Sequence, residues 1–72
     1  MRWVQRLLRS SVVVHLSSGS SIRGILVGEY RDAIVLAHAH YLTAGGAEPI
    51  DGEAGIPRAT IAWIQQLPSE TR

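Results

Sequence analysis

Three histidines, four serines and one aspartate are the residues of this chain whose types and spacing could do chemistry. His38 and His40 stand two apart in an apolar run, so in an extended chain they share a face. With His15 they make up the inventory of a three-imidazole metal site. Ser17, Ser18, Ser20 and Ser21 follow His15, and with Asp32 they supply the components of a nucleophilic triad. The spacing supports neither. No carboxylate is placed to orient an imidazole, and the serines sit in no G-x-S-x-G turn. The stretch from Gly24 to Gly28 lacks the Lys-Ser/Thr ending of a phosphate loop. There is no cysteine, which removes thiolate ligands and disulfides. The sequence therefore predicts no enzyme, no metal and no cofactor. Its histidines read as half-exposed strand residues or as interface residues.

The elements that must carry these residues are short strands. Val12, Val14 and Leu16 alternate with Val13 and His15, giving a first strand at 12–16 with the first set inward. A turn at 17–20 contains Gly19. The second strand spans 22–29, and Gly24 and Gly28 within it mark sharp bending. After a turn at 30–32 comes a third strand at 33–41. There Ile34, Leu36, His38 and His40 are expected on one face, with Val35, Ala37 and Ala39 on the other. The stretch 43–49 reads as a loop by composition. A weaker fourth strand at 50–56 is broken by Gly52 and Gly55 and stopped by Pro57. A fifth strand spans 60–67, with Ile61, Trp63 and Gln65 alternating against Ala62 and Ile64. Ahead of the strands, residues 1–9 place Trp3, Val4, Leu7 and Leu8 on one helical face and Arg2, Gln5, Arg6 and Arg9 on the other. Such a helix is too short to stand alone in water and must lie on something. The expected organisation is one all-β domain: a helix at 1–10, a small, strongly bent five-stranded antiparallel barrel at 11–67 and a tail at 68–72.

A chain of 72 residues buries only about 60% of the surface its unfolded form exposes. Without disulfides or a metal, association is the remaining support. The open edges of so small a sheet point the same way. Apolar residues are 46% and charged residues 18% of the chain, a globular balance. No apolar run approaches the ~20 residues of a membrane helix, and the arginine-studded start is a poor signal peptide. The formal net charge of +1 argues against indiscriminate polyanion binding. Its distribution is uneven. Residues 1–31 hold Arg2, Arg6, Arg9, Arg23 and Arg31 against Glu29. Residues 32–72 hold Asp32, Glu48, Asp51, Glu53 and Glu70 against Arg58 and Arg72. A basic half and an acidic half suit head-to-tail contact between copies.

A helix followed by five short strands, with Val12, Val14 and Leu16, then Gly19, Arg23-Gly24 and Leu26, then Ile34-Val35-Leu36 and Ala39, and last Ile61-Ala62-Trp63-Ile64, resembles the Sm-like (LSm) family. The resemblance runs over residues 3–67. It implies a bent barrel and a ring of six or seven copies in which one copy's fourth strand pairs with the next copy's fifth. It also implies that the first and third strands are not neighbours, which separates His15 from His38 and His40. RNA-binding members carry an Asp and, four residues later, an Asn that reads a uracil edge. Here the Asp position falls on Tyr30 and the Asn position on Ile34, or on Ala33 with one loop residue deleted. The chain contains no Asn, and nearby Asp32 reads as a turn residue. The family's Ile-Arg-Gly corresponds to Ile56-Pro57-Arg58, with the Arg one place late and the Gly missing. In a strand, such a slip turns the side chain to the other face. The nucleotide pocket thus reads as degenerate at Tyr30, Asp32, Ile34 and Arg58, and RNA is disfavoured as a partner.

The short Trp- and Arg-bearing helix and the IPRA-x-IAWIQ strand also resemble small Sm-like proteins of actinobacterial phage virions, and the lysine-free composition fits a GC-rich host. That resemblance implies a non-enzymatic ring module acting as a minor or decoration-type capsid protein. Its partners would be its own copies and a capsid shell, its location the virion, or otherwise the cytoplasm, with no membrane. Trp3 with Arg2, Arg6 and Arg9 is the expected partner surface. Trp63 is expected to fill the barrel or the seam between copies. The alternative is an RNA-binding Sm-like protein with an altered uridine pocket.

Overall fold

The computed structural model describes residues 2–68, with side chains from Val4 onward. The side chains of Trp3 and Arg2, and the tail beyond Pro68, lie outside the described residues. The expected helix is a single turn, α1 (Arg2–Gln5), continued as turns through residue 9. The turns that follow are closed by bonds of the tighter i→i+3 kind: Leu7 N–H to Val4 O at 2.9 Å and Ser10 N–H to Leu7 O at 2.8 Å. Arg9 ends it at φ +70°, in the left-handed region. The reversed chain then bonds into the sheet, Arg9 N–H to Leu26 O at 2.6 Å and Leu26 N–H to Ser10 O at 3.0 Å. Val4 and Leu7 are buried in the core of this same chain, so the segment packs on its own barrel. Leu8, expected on the packing face, is exposed, because the turns after Gln5 no longer follow α-helical spacing.

The strands are β1 (Ser11–Leu16), β2 (Ser21–Glu29), β3 (Ala33–Thr43), β4 (Gly46–Pro49), β5 (Ala54–Pro57) and β6 (Ile61–Gln66). All pairings are antiparallel. The order across the sheet is β4-β3-β2-β1-β6, with β5 also on β3. The sheet curls around Val12, Val14, Leu26, Ile34, Leu36, Ala39 and Ile56, and Val4 and Leu7 complete this core.

Gly24 sets the bend. It faces Val12 on the buried side, and a Cβ there would lie 3.0 Å from Ala37 O and 3.1 Å from Leu36 Cβ. Only a residue without a side chain lets β2 and β3 approach this closely. The register shifts at the same place, with Arg23 opposite His40 but Ile25 opposite Ala37. The extra residue on β3 is absorbed at His38, which has φ +51°. The alternation expected through Ile34, Leu36, His38 and His40 therefore breaks. Ala39 turns inward, and His38 is exposed.

Two further expectations are corrected. The segment read as a loop at 43–49 contains β4, which folds back on β3 through a turn closed by Thr43 Oγ1 donating to Gly46 O at 3.1 Å. The ladder then skips from the His40–Pro49 pair to the Leu36–Ala54 pair. Between them Gly52 takes φ +74°. The fourth strand thus starts earlier than expected and is split in two. In β6 a bulge sets His15 opposite Trp63 but Leu16 opposite Ile61. The bulge breaks the expected alternation: Ile61 and Ile64 both pack against the core, and Trp63 is 56% exposed instead of filling the barrel.

Candidate functional site

Two places gather polar side chains. The first joins the β2–β3 turn to the 3₁₀ turn Arg58–Thr60 that follows β5. Tyr30 N–H donates to Ala33 O at 2.8 Å and closes the first turn. Arg58 N–H donates to Asp32 O at 2.8 Å and ties the two turns together. The Arg58 side chain repeats the link, with Nε donating to Tyr30 O at 3.0 Å and Nη2 to Glu29 Oε2 at 2.7 Å. The side chains of this ion pair are only 21% and 11% exposed, so it is less screened than a surface bridge. Arg58 lies past the end of β5, so strand alternation does not set its direction, and it reaches back to the β2–β3 turn.

Around that pair the pocket positions named from the sequence diverge. Tyr30 is 62% exposed, and its ring lies against Gly28. Asp32 is exposed and contributes its backbone oxygen. Ile34 is buried between Glu29 and Ile56 in the ladder and cannot meet a ligand. Gln5 and Arg31 complete the rim of the recess. The guanidinium is thus held by a carboxylate and a carbonyl of its own chain, and the side chain at the Asn position belongs to the core.

The second place is the outward face of β3, β2, β1 and β6, where cross-strand pairing builds two rows. One runs Trp63–His15–Ser21 and the other Gln65–Val13–Arg23–His40. The His15 and Trp63 rings stack with centroids 4.0 Å apart and an interplanar angle of 10°. His15 Nδ1 is 3.0 Å from Ser21 Oγ, and Nε2 is 3.3 Å from Gln65 Oε1. One tautomer satisfies both contacts, with the serine hydroxyl donating to Nδ1 and Nε2–H donating to the amide oxygen. This is a serine–histidine pair whose third member is an amide. Asp32, the aspartate of the sequence inventory, sits at the far end of β2, so no triad assembles. His15 is separated from His38 and His40 by β2, and the three imidazoles do not converge.

Sequence reasoning did not single out Ser21 with Gln65, or Arg23 beside His40, as functional neighbours. Val13 and His15 on one face did predict which side of β1 they would occupy. Their partners depend on the register of β2 and β6, which bulges shift.

No protein-family model matches the chain, and no curated protein matches it in sequence. Solved structures match its shape. A heptameric archaeal Sm protein superposes with a TM-score of 0.84 at 22% identity, covering 94% of this chain and 100% of the other. The SmAP1 heptamer of P. aerophilum gives a TM-score of 0.85 at 22% identity, covering 94% and 92%. The Pyrococcus abyssii Sm protein in complex with a uridine heptamer gives 0.82 at 26% identity, covering 92% and 94%. The all-β, strongly bent antiparallel sheet of this chain, with its minor N-terminal turn of helix, is the Sm-like fold.

Proposed function

We propose that this chain is a non-enzymatic, ring-forming Sm-like module that works through protein–protein contacts. One observation carries the reading. Among the described residues the end strands of the sheet have one partner each: β6 pairs only with β1, while β4 and β5 pair only with β3. Each free edge presents a row of unpaired backbone donors and acceptors, and pairing one copy's β6 with the next copy's β4–β5 segment satisfies both. The likeness to heptameric Sm proteins supports closure into a ring of six or seven copies. The engagement of Arg58 by Glu29 favours protein over uridine as partner. A phage virion, with the module as a minor or decoration-type capsid protein, is the setting we propose. It rests on the sequence resemblance to virion Sm-like proteins.

The second reading, an RNA-binding protein with an altered pocket, is favoured by the likeness to the Pyrococcus abyssii protein bound to a uridine heptamer. Two measurements separate them. Native mass spectrometry is expected to give a ring of six or seven copies, and a stable monomer at micromolar concentration refutes the ring. The same rings are expected to bind oligo-U no better than a scrambled oligonucleotide at physiological salt. Micromolar, sequence-dependent binding would replace the protein-contact reading with the RNA one.

A further inference from the structure

The outward face carries a cleft of about 550 Å³ between the α1–β1 junction and the β3 bulge. Arg9, Arg23, His38 and His40 line it, with Ser11 and Gln66 beside them. It shares no residue with the recess around Arg58. From this geometry we infer that the cleft binds a phosphate-bearing anion.

Three observations converge on it. The first is charge. Two arginines and two histidines line one concavity, and among the described residues no carboxylate lines it. Neither Arg9 nor Arg23 has an ionic partner among the described residues. Arg58, by contrast, is bound to Glu29. The cleft arginines present their donor forks unspent, the geometry that suits phosphate oxygens.

The second is backbone conformation. Among the described residues, Arg9 and His38 are the two non-glycine residues with positive φ, at +70° and +51°. Both line this cleft. Glycine would adopt that conformation at less cost. Strained backbone of this kind gathers at ligand clamps. Here it turns one cation out of the chain reversal after α1 and an imidazole out of the β3 bulge, toward the same space.

The third is construction. Arg23 and His40 are direct cross-strand partners, and the bulge that places His38 beside them is the one required by Gly24. Four cationic or protonatable groups are therefore fixed on a sheet and a tight turn, not on a long loop. Nearby on the same face, the His15–Trp63 stack leaves Trp63 largely open, room for a planar group attached to the phosphate.

Phosphate chemistry of this kind has two sources, a small phosphorylated molecule and a nucleic-acid backbone. The test uses pyrophosphate and a mixed-sequence single-stranded 12-mer on the assembled protein. Amide chemical-shift changes on adding pyrophosphate are expected at residues 9, 23, 38 and 40. Arg23→Ala is expected to weaken binding about tenfold or more, the loss for one charge-assisted contact of about 1.4 kcal/mol. Arg31→Ala removes the same charge from the exposed β2–β3 turn, on the rim of the other recess and off the cleft, and is expected to change pyrophosphate binding less than twofold. A 12-mer that binds at least tenfold tighter than pyrophosphate identifies a backbone, and equal affinities identify a small ligand. The inference is overturned if neither probe binds at low salt, or if Arg31→Ala weakens binding as much as Arg23→Ala. It is also overturned if Arg23→Ala breaks the oligomer while pyrophosphate leaves the cleft resonances unmoved, since the cleft then holds a second copy.

Discussion

Gly24→Ala and Gly28→Ala make the same chemical change four residues apart on β2, and the structure assigns them opposite signs. Neither glycine has positive φ, so alanine fits both backbones. Each substitution stiffens the unfolded chain and gains about 0.4–1 kcal/mol for that reason. What differs is the space. A methyl at residue 24 meets Ala37 O at 3.0 Å, Leu36 Cβ at 3.1 Å and Ala39 Cα at 3.3 Å, and two of these are backbone atoms of the paired strand. Overpacking of a buried, rigid contact costs about 1–3 kcal/mol, which outweighs the entropic gain. A methyl at residue 28 meets the Tyr30 ring, at 3.1 Å from Cε2 and 3.4 Å from the hydroxyl. That ring is 62% exposed and can swing away. Gly24→Ala is therefore expected to destabilise by about 1 kcal/mol, lowering Tm by about 4–8 °C for a domain of this size. Gly28→Ala is expected to be neutral or stabilising by a few tenths of a kcal/mol. Urea and thermal unfolding at one fixed protein concentration measure both, since assembly makes apparent stability concentration-dependent. A Gly24→Ala protein as stable as the parent would refute the claim that close approach of β2 and β3 at this glycine sets the bend.

Two other substitutions test the remaining joints. Arg58→Ala removes the bonds to Glu29 and Tyr30 O and is expected to cost about 2 kcal/mol in urea unfolding, between a neutral and a fully charged hydrogen bond. A cost below about 0.5 kcal/mol would show the pair to be an ordinary surface bridge. Val4→Ala is expected to cost about 2 kcal/mol through lost burial and the cavity left behind. An unchanged midpoint would mean that the N-terminal turn does not cap the core.

The phosphate cleft and the closed recess around Arg58 give the two ends of β2 different roles. At the Glu29 end, an arginine is consumed by the chain's own carboxylate and holds two turns together. Near the Ser21 end, Arg23 stands beside His40 with no ionic partner among the described residues. Residues of the same type thus act as a structural tie in one place and as a ligand donor in the other. The difference lies in which neighbour the strand register supplies.

The existence of β1, β2, β3 and β6, the inward facing of Val12, Val14 and Leu16, and the need for glycine in β2 were legible in the residues. Period-two alternation and the exclusion of large side chains at a bend are local properties, written where they act. Three features were decided only in the folded molecule. Whether His38 or Ala39 enters the core depends on a bulge forced by backbone packing across two strands. The strand character of 46–49 depends on an overlong β3 offering it a partner, which overrides a composition of small, polar and turn residues. The fate of Arg58 depends on a 3₁₀ turn that points it at Glu29, 29 residues away in the chain. Each is a question of which distant groups share a neighbourhood. A sequence determines that through the register of its strands, and a single bulge is enough to change it.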